Sequence, residues 1–264
     1  MTDDDRLGGF TPARATRFYV PLLLQAFSQS LTYPLVAAIV THGAFGVHGL
    51  TAFAQGQTVM FMIGALGGGL VMTGMVFART LPGYLSFKKL NFRMMVALLA
   101  LQCALCVHPI DALIFQTLLK LPADLAQAAR WTMFWGFVMQ GSFFLRNVPL
   151  VALFNARAST EANIATLARI ALTAAFSPLF IALGLVGPMW GLVALTIPCL
   201  LELVLTWLFA RKYVRVLPIH DPSVSGGEAH VPGQGAPARS QASFSSVATQ
   251  FAFTVPLSFG GFLL

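Results

Sequence analysis

Three charged residues lie inside apolar stretches of this sequence. Arg146 is eight positions before Phe154 and Glu202 is seven before Phe209, the last residues of two apolar runs. At ~1.5 Å per helical residue, both lie on the order of 10 Å from a helix end, and Arg169 is shallower on the same side. Two interpretations follow. Either Arg146 and Glu202 form an ion pair that joins two helices, or two arginines with one carboxylate leave a net positive wall that favours an anion.

Polar residues recur at helical spacing in the first two apolar runs. Gln25, Gln29 and Thr32 share one stripe of the first run, and Gln55 and Thr58 share one stripe of the second. Polar groups are costly in hydrocarbon, so each faces either a neighbouring helix or a polar cavity. The predicted substrate path comprises these five residues and four from later runs: Arg146, Asn147, Arg169 and Glu202.

Prolines and glycines suggest where the first two helices bend and pack. Pro21 and Pro34 flank the polar stripe of the first run, and each removes a backbone hydrogen bond, so we predict a hinge there. Gly64 and Gly68 form a GxxxG pattern in the second run, which is typical of close helix packing.

The sequence gives little support to other chemistry. Cys103 and Cys106 form a CxxC pair, but His108 is one position too far along for haem attachment, and an apolar helix suits neither redox nor zinc chemistry. The sequence contains no Walker A, HExxH or GxSxG pattern. We therefore expect no enzyme activity, no metal and no cofactor.

The composition indicates a membrane protein. Of 264 residues, 57% are hydrophobic and 9% are charged, whereas soluble domains carry roughly 25% charged residues. The formal net charge of +7 comes from basic residues at the ends of apolar runs, where lipid head groups lie. We therefore expect the lipid bilayer as a partner and exclude nucleic acid.

Six apolar runs approach or exceed the length of about 20 residues that crosses a bilayer. They span residues 18–40, 50–77, 90–107, 131–154, 164–186 and 190–209. Residues 110–119, which follow the short third run, are more typical of a helix lying in the membrane interface. The predicted fold class is all-α, a polytopic membrane bundle with a six-helix lobe and the start of a seventh helix.

The positions of lysine and arginine predict the orientation. They collect before the first run, between the second and third, and after the fourth and sixth, which places the N-terminus in the cytoplasm of a multi-pass inner (plasma) membrane protein. The predicted organisation is a cytoplasmic N-terminus (1–17), a six-helix N-terminal lobe (18–216), a cytoplasmic linker rich in Gly, Ser and Pro (217–246), and the truncated start of a second lobe (247–264).

The last apolar run repeats the first. FTVPL at 253–257 with Phe262 has the same internal spacing as FYVPL at 18–22 with Phe27. Internal repeats on this scale are typical of transporters built from two related halves. We therefore expect a C-terminal half of the same protein as a partner of this lobe.

Four segments resemble the MATE and polysaccharide-flippase (MOP) transporter superfamily: TRFYVPL (16–22), GMVF (74–77), RNVP (146–149) and GLVGPMWG (184–191). The first two runs are most similar to its ankylosis-protein-like branch. The resemblance implies two six-helix lobes around a central cavity that works by alternating access. Cation-coupled drug exporters of the superfamily commonly carry an acidic residue in the first helix, and residues 18–40 have none, which favours export of a lipid-linked or small anionic solute.

The predicted function is that of a transporter or flippase that exports an amphiphilic or anionic solute, small or lipid-linked, by alternating access. The alternative is a membrane-embedded enzyme or assembly factor without a transport cycle. The missing half distinguishes the two, because a transporter should supply a matching polar stripe and an enzyme a catalytic His/Asp/Glu cluster.

Overall fold

The computed structural model describes residues 32–67 and 69–219, and every regular element in these residues is a helix. The predictions for 1–31, for most of the linker and for 247–264 lie outside the described residues. So do four of the predicted functional positions: Pro21, Gln25, Gln29 and Gly68.

Nine helices follow one another in the described residues. They are α1 (Thr32–Thr41), α2 (Gly46–Ala65), α3 (Leu70–Phe77), α4 (Leu81–Leu105), α5 (Ile110–Leu118), α6 (Ala123–Trp135), α7 (Phe137–Asn155), α8 (Ser159–Ala182) and α9 (Pro188–Val214). Two pairs continue as single long spans, α2 with α3 over Gly46–Phe77 and α6 with α7 over Ala123–Asn155. Most of α5 has π-helical geometry.

Several helices are long and apolar enough to cross a membrane. There are four in the described residues, or five if α4 and α5, which meet at an angle of 82°, count as one broken span. Lys88, Lys89 and Arg93 lower the hydropathy of α4, and the described part of α1 is short for a span. A multi-pass helical membrane protein is therefore confirmed, and the six-span lobe stays a prediction.

Hydrogen bonds between segments far apart in the sequence bring together helix ends at which most of the basic residues lie. The Leu81 amide donates to the Pro218 carbonyl at 2.9 Å, and the Asn155 side chain donates to the Ala78 carbonyl at 3.0 Å. These bonds join the ends of α3, α7 and α9 to the start of α4. We call this the basic end, defined by Arg79, Lys88, Lys89, Arg157, Arg211, Lys212 and Arg215.

Glycines allow α2 to pack closely against α6 and α7. A Cβ atom added at Gly56 would lie 2.5 Å from the Ala129 carbonyl oxygen of α6. A Cβ atom at Gly64, one of the two predicted packing glycines, would overlap the amide nitrogen of Gln140 on α7. Such contacts supply the close van der Waals packing that holds membrane helices together.

Candidate functional site

Glu202 of α9 is the centre of a charged cluster between three helices. Its Oε2 atom accepts from Nη1 of Arg146 on α7 at 2.6 Å and lies 3.4 Å from Nη1 of Arg169 on α8. Its Oε1 atom accepts from the Thr166 hydroxyl, one turn before Arg169, at 2.7 Å. Both carboxylate oxygens are therefore satisfied by side chains from neighbouring helices.

The cluster is buried, and within residues 32–67 and 69–219 it holds two arginines and one carboxylate. Arg146 is 8% exposed, Arg169 3% and Glu202 2%. The other acidic side chains among residues 32–67 and 69–219 are Asp111, Asp124 and Glu161; Asp111 pairs with Arg130, and Glu161 with Lys212. Two arginines thus share one carboxylate, and buried charge is stable only where it is compensated.

Arg146 also keeps one donor free of the cluster. Its buried Nε atom has no acceptor in the described part of the chain, while its guanidinium carbon lies 5.1 Å from the centre of the Phe143 ring. A buried N–H without an acceptor costs on the order of 1–3 kcal/mol. The arrangement therefore favours an additional acceptor group from outside these residues.

Backbone features of α7 and α9 accompany the charges. Pro149 lies within α7 one turn after Arg146, and Pro198 lies within α9 one turn before Glu202. Each proline removes one helical hydrogen bond, which makes the helix easier to bend at that turn. The Thr206 hydroxyl donates to the Glu202 carbonyl at 2.5 Å.

A small cavity connects Arg169 to the first helix. Its volume is about 30 Å³, enough for one or two water molecules. Residues from five helices line it: Thr32, Tyr33, Phe61, Met139, Arg169, Thr173, Leu195 and Cys199. Thr32, the described end of the predicted polar stripe in α1, therefore lies beside the charged cluster. Pro34 is exposed two residues further along α1.

Other members of the predicted path lie elsewhere. Gln55 is half-buried and Thr58 is exposed, and both lie on a face of α2 that the described residues leave largely uncovered. The Thr58 hydroxyl donates to the Ala54 carbonyl at 2.8 Å. Asn147 points toward α4, where its amide lies 3.5 Å from Oδ1 of Asn91. The structure thus brings together Thr32, Arg146, Arg169 and Glu202.

Sequence reasoning missed several polar residues of the described interior, among them Thr166 and Gln57. Thr166 completes the coordination of Glu202, and its spacing of three from Arg169 and seven from Thr173 could have indicated a shared helix face. Gln57 is 3% exposed, and neither its amide oxygen nor its nitrogen has a partner among the described residues. The sequence pattern that could have indicated its burial is a lone polar residue between Phe53 and Met60 on the buried face of α2.

The CxxC cysteines lie away from this cluster. Cys103 is exposed and Cys106 half-buried, both as free thiols, beside Arg130 and Trp131 at the end opposite the basic end. In the described ranges no group of three or more His, Cys, Asp or Glu side chains could hold a metal ion.

The fold and the site together define a multi-pass helical membrane protein with a buried cluster of two arginines and one glutamate. Comparisons with protein-family models, with curated proteins and with solved structures find no match to this chain.

Proposed function

We propose that this chain is the N-terminal lobe of a two-lobed transporter or flippase, of the kind found in the MATE and polysaccharide-flippase superfamily. It moves an anionic or amphiphilic solute across the inner membrane by alternating access. The observation that carries the proposal is the sharing of the Glu202 carboxylate by Arg146 and Arg169 in a buried position. Two guanidinium groups that converge on one carboxylate offer donors that an anion could also use, which supports the proposal.

The cluster suits transient binding of an anion. Glu202 holds both arginines in place when no solute is present, so the site does not collapse or expel its charge. An arriving carboxylate or phosphate would compete with Glu202 for the guanidinium groups and take the free Nε donor of Arg146. Binding strong enough to hold the solute yet reversible enough to release it is what a transport cycle needs.

The small volume beside Arg169 supports a transport cycle with moving helices. A space of about 30 Å³ admits water but no metabolite or lipid head group. A solute therefore reaches the cluster when α1 moves away from α8 and α9. Pro149 and Pro198 provide bendable turns beside the charges. Pro34, in the first turn of the described part of α1, stays the predicted hinge of that helix.

The uncovered polar face of α2 supports a partner lobe. Gln55 and Thr58 share this face with Met62, which is 57% exposed. A stripe that mixes amide, hydroxyl and thioether groups suits the wall of a polar cavity better than a lipid-facing surface. A second lobe facing this stripe would enclose the substrate path.

The test is flux through the full-length protein, including the second half, reconstituted in vesicles. The probes are radiolabelled phosphate, a dicarboxylate and a nucleotide, together with a fluorescent anionic phospholipid. Arg169→Gln should lower the flux of the transported probe at least about tenfold, because an anion site loses one of its two cations. Folding should survive, because Arg146 and Glu202 remain as a balanced pair.

The matched control is Arg130→Gln, which removes an arginine that is also paired with a carboxylate, Asp111, but outside the cluster. It should leave flux within about twofold of the unmodified protein. Equal flux of every probe in Arg169→Gln and in the unmodified protein would refute the anion site. A catalytic His/Asp/Glu cluster in the sequence beyond Leu264, without flux of any probe, would instead favour the enzyme alternative.

A further inference from the structure

A groove lies on the surface of the bundle between α4, α7 and α9. Its volume is about 710 Å³, within the range of sites that bind small organic molecules. Apolar side chains form most of its wall: Leu85, Phe92, Leu145, Val148, Pro149, Leu203, Val204 and Trp207. Phe92, Val204 and Trp207 are each at least half exposed. The groove is therefore accessible from the surroundings of the bundle, such as membrane lipid.

The groove has positive charge at the basic end. Lys88 and Lys89 of α4 contribute to its lining, and both are exposed. The Arg211 guanidinium lies over the Trp207 ring, 3.5 Å from its centre. The lining contains no acidic side chain, and among the described residues neither lysine forms an ion pair. An apolar trough with two free ammonium groups is thus complementary to an amphiphile with a negative head.

We propose that this groove binds an anionic phospholipid, with an acyl chain along the apolar wall and the phosphate between Lys88 and Lys89. Basic pockets between membrane helices recognise anionic head groups in this way, and long lysine side chains reach the head-group level while their stems lie on apolar surface. The charge complementarity selects this occupant, because a neutral lipid or an apolar protein surface would leave both ammonium groups without a counter-charge. The site is separate from the Glu202 cluster and does not rest on the transport proposal.

Trp207 provides a direct probe of the groove. The full-length protein, with every other tryptophan replaced by phenylalanine, is reconstituted into phosphatidylcholine vesicles that contain 20% phosphatidylglycerol. Bromine atoms are placed on the acyl chains of either the anionic or the neutral lipid, and quenching of Trp207 fluorescence is measured. We expect brominated phosphatidylglycerol to quench more strongly than its share of the lipid predicts.

The test variant is Lys88→Gln with Lys89→Gln. The preference of this variant for the anionic lipid should decrease by a factor of about 5 to 30. This is the loss expected when two basic residues are removed at an anionic membrane surface. The matched control is Arg79→Gln with Arg157→Gln, which removes two exposed charges from the same basic end but none from the groove lining. The control should keep the preference within about twofold.

Three results would overturn the proposal. Quenching by each lipid in proportion to its share of the bilayer would show that the lysines do not select a head group. An equal loss in the control would assign the preference to surface charge in general. Weak quenching by either lipid would show that protein, such as a second copy or the rest of the chain, covers Trp207.

A second measurement requires no tryptophan replacement. The melting temperature of the otherwise unmodified protein in detergent should rise when phosphatidylglycerol is added and stay unchanged with phosphatidylcholine. This difference should disappear in the Lys88→Gln, Lys89→Gln variant and persist in the Arg79→Gln, Arg157→Gln variant. Equal stabilisation of both variants by phosphatidylglycerol would contradict the site.

Discussion

Glutamine at position 202 should destabilise this protein far more than glutamine at position 146. Glu202→Gln keeps the shape and the acceptor for Thr166 but removes the one negative charge that Arg146 and Arg169 both contact in this buried position. Breaking a buried ion pair from one side costs about 3–5 kcal/mol. Arg146→Gln leaves the Arg169–Glu202 pair in place, so it loses one charge-assisted hydrogen bond, worth about 1.5–3 kcal/mol, and also removes the repulsion between the arginines.

The distances support this order. At an effective dielectric constant of ~20, charges separated by 2.6 Å and by 3.4 Å attract by about 6 and about 5 kcal/mol before the cost of desolvation is subtracted. The two arginines therefore hold the carboxylate with comparable strength. Either one can compensate it when the other is lost.

The double variant is the sharpest measurement. If Arg146 and Glu202 formed an isolated pair, replacing both by glutamine would restore stability close to that of the unmodified protein. With Arg169 in the cluster, the double variant instead removes the carboxylate that Arg169 contacts and should be less stable than Arg146→Gln alone. A triple variant that also carries Arg169→Gln has no buried charge in the cluster and should regain stability.

Stability is measured by thermal unfolding of the purified protein in one detergent, together with the folded fraction on size exclusion. Thr166→Val serves as a control that removes one hydrogen bond to Glu202 without changing any charge, with an expected cost of about 1–2 kcal/mol. A double variant at least as stable as Arg146→Gln would refute the three-charge cluster. A Glu202→Gln protein with the same melting temperature as the unmodified protein would also refute it.

Gly56→Ala should destabilise the protein by about 1–3 kcal/mol, because the new methyl group would press on a backbone oxygen of α6. Gly141→Ala would place its methyl group at an ordinary contact distance of 3.6 Å and should be neutral or slightly stabilising. Melting curves of the two variants test this difference. Reporters fused after Val216 should be cytoplasmic and those in the loop 42–48 external, and the reverse labelling would contradict the orientation predicted by the positive-inside rule. Pro34→Ala should slow transport without lowering the folded amount, and unchanged flux in vesicles would remove the hinge.

Much of the fold could be predicted from local sequence properties. The predicted apolar runs overlap the helices, because the free energy of placing a segment in a bilayer depends mainly on its own side chains. The third run, residues 90–107, was the weakest candidate for a span. It is short, carries Arg93 near its start and stops at residues 108–111, and the structure shows α4 followed by the sharply angled α5.

The candidate site was predictable only in part. Depth along each run indicated that Arg146 and Glu202 could meet, since depth follows from the helical rise. Rotation about the helix axis could not be read in the same way. Asn147 is the next residue after Arg146, yet it points toward Asn91 of α4, because successive helical residues differ by about 100° in direction.

By itself the sequence determined the class of protein, the helical elements and the collection of basic residues between alternate runs, because hydropathy and charge act segment by segment. Only the tertiary structure decided that Arg169 and Thr166 share Glu202 with Arg146, that Thr32 adjoins them, and that Gln55 faces away. These contacts join residues far apart in the chain. They depend on how α7, α8 and α9 pack and rotate against one another, which many side chains determine together.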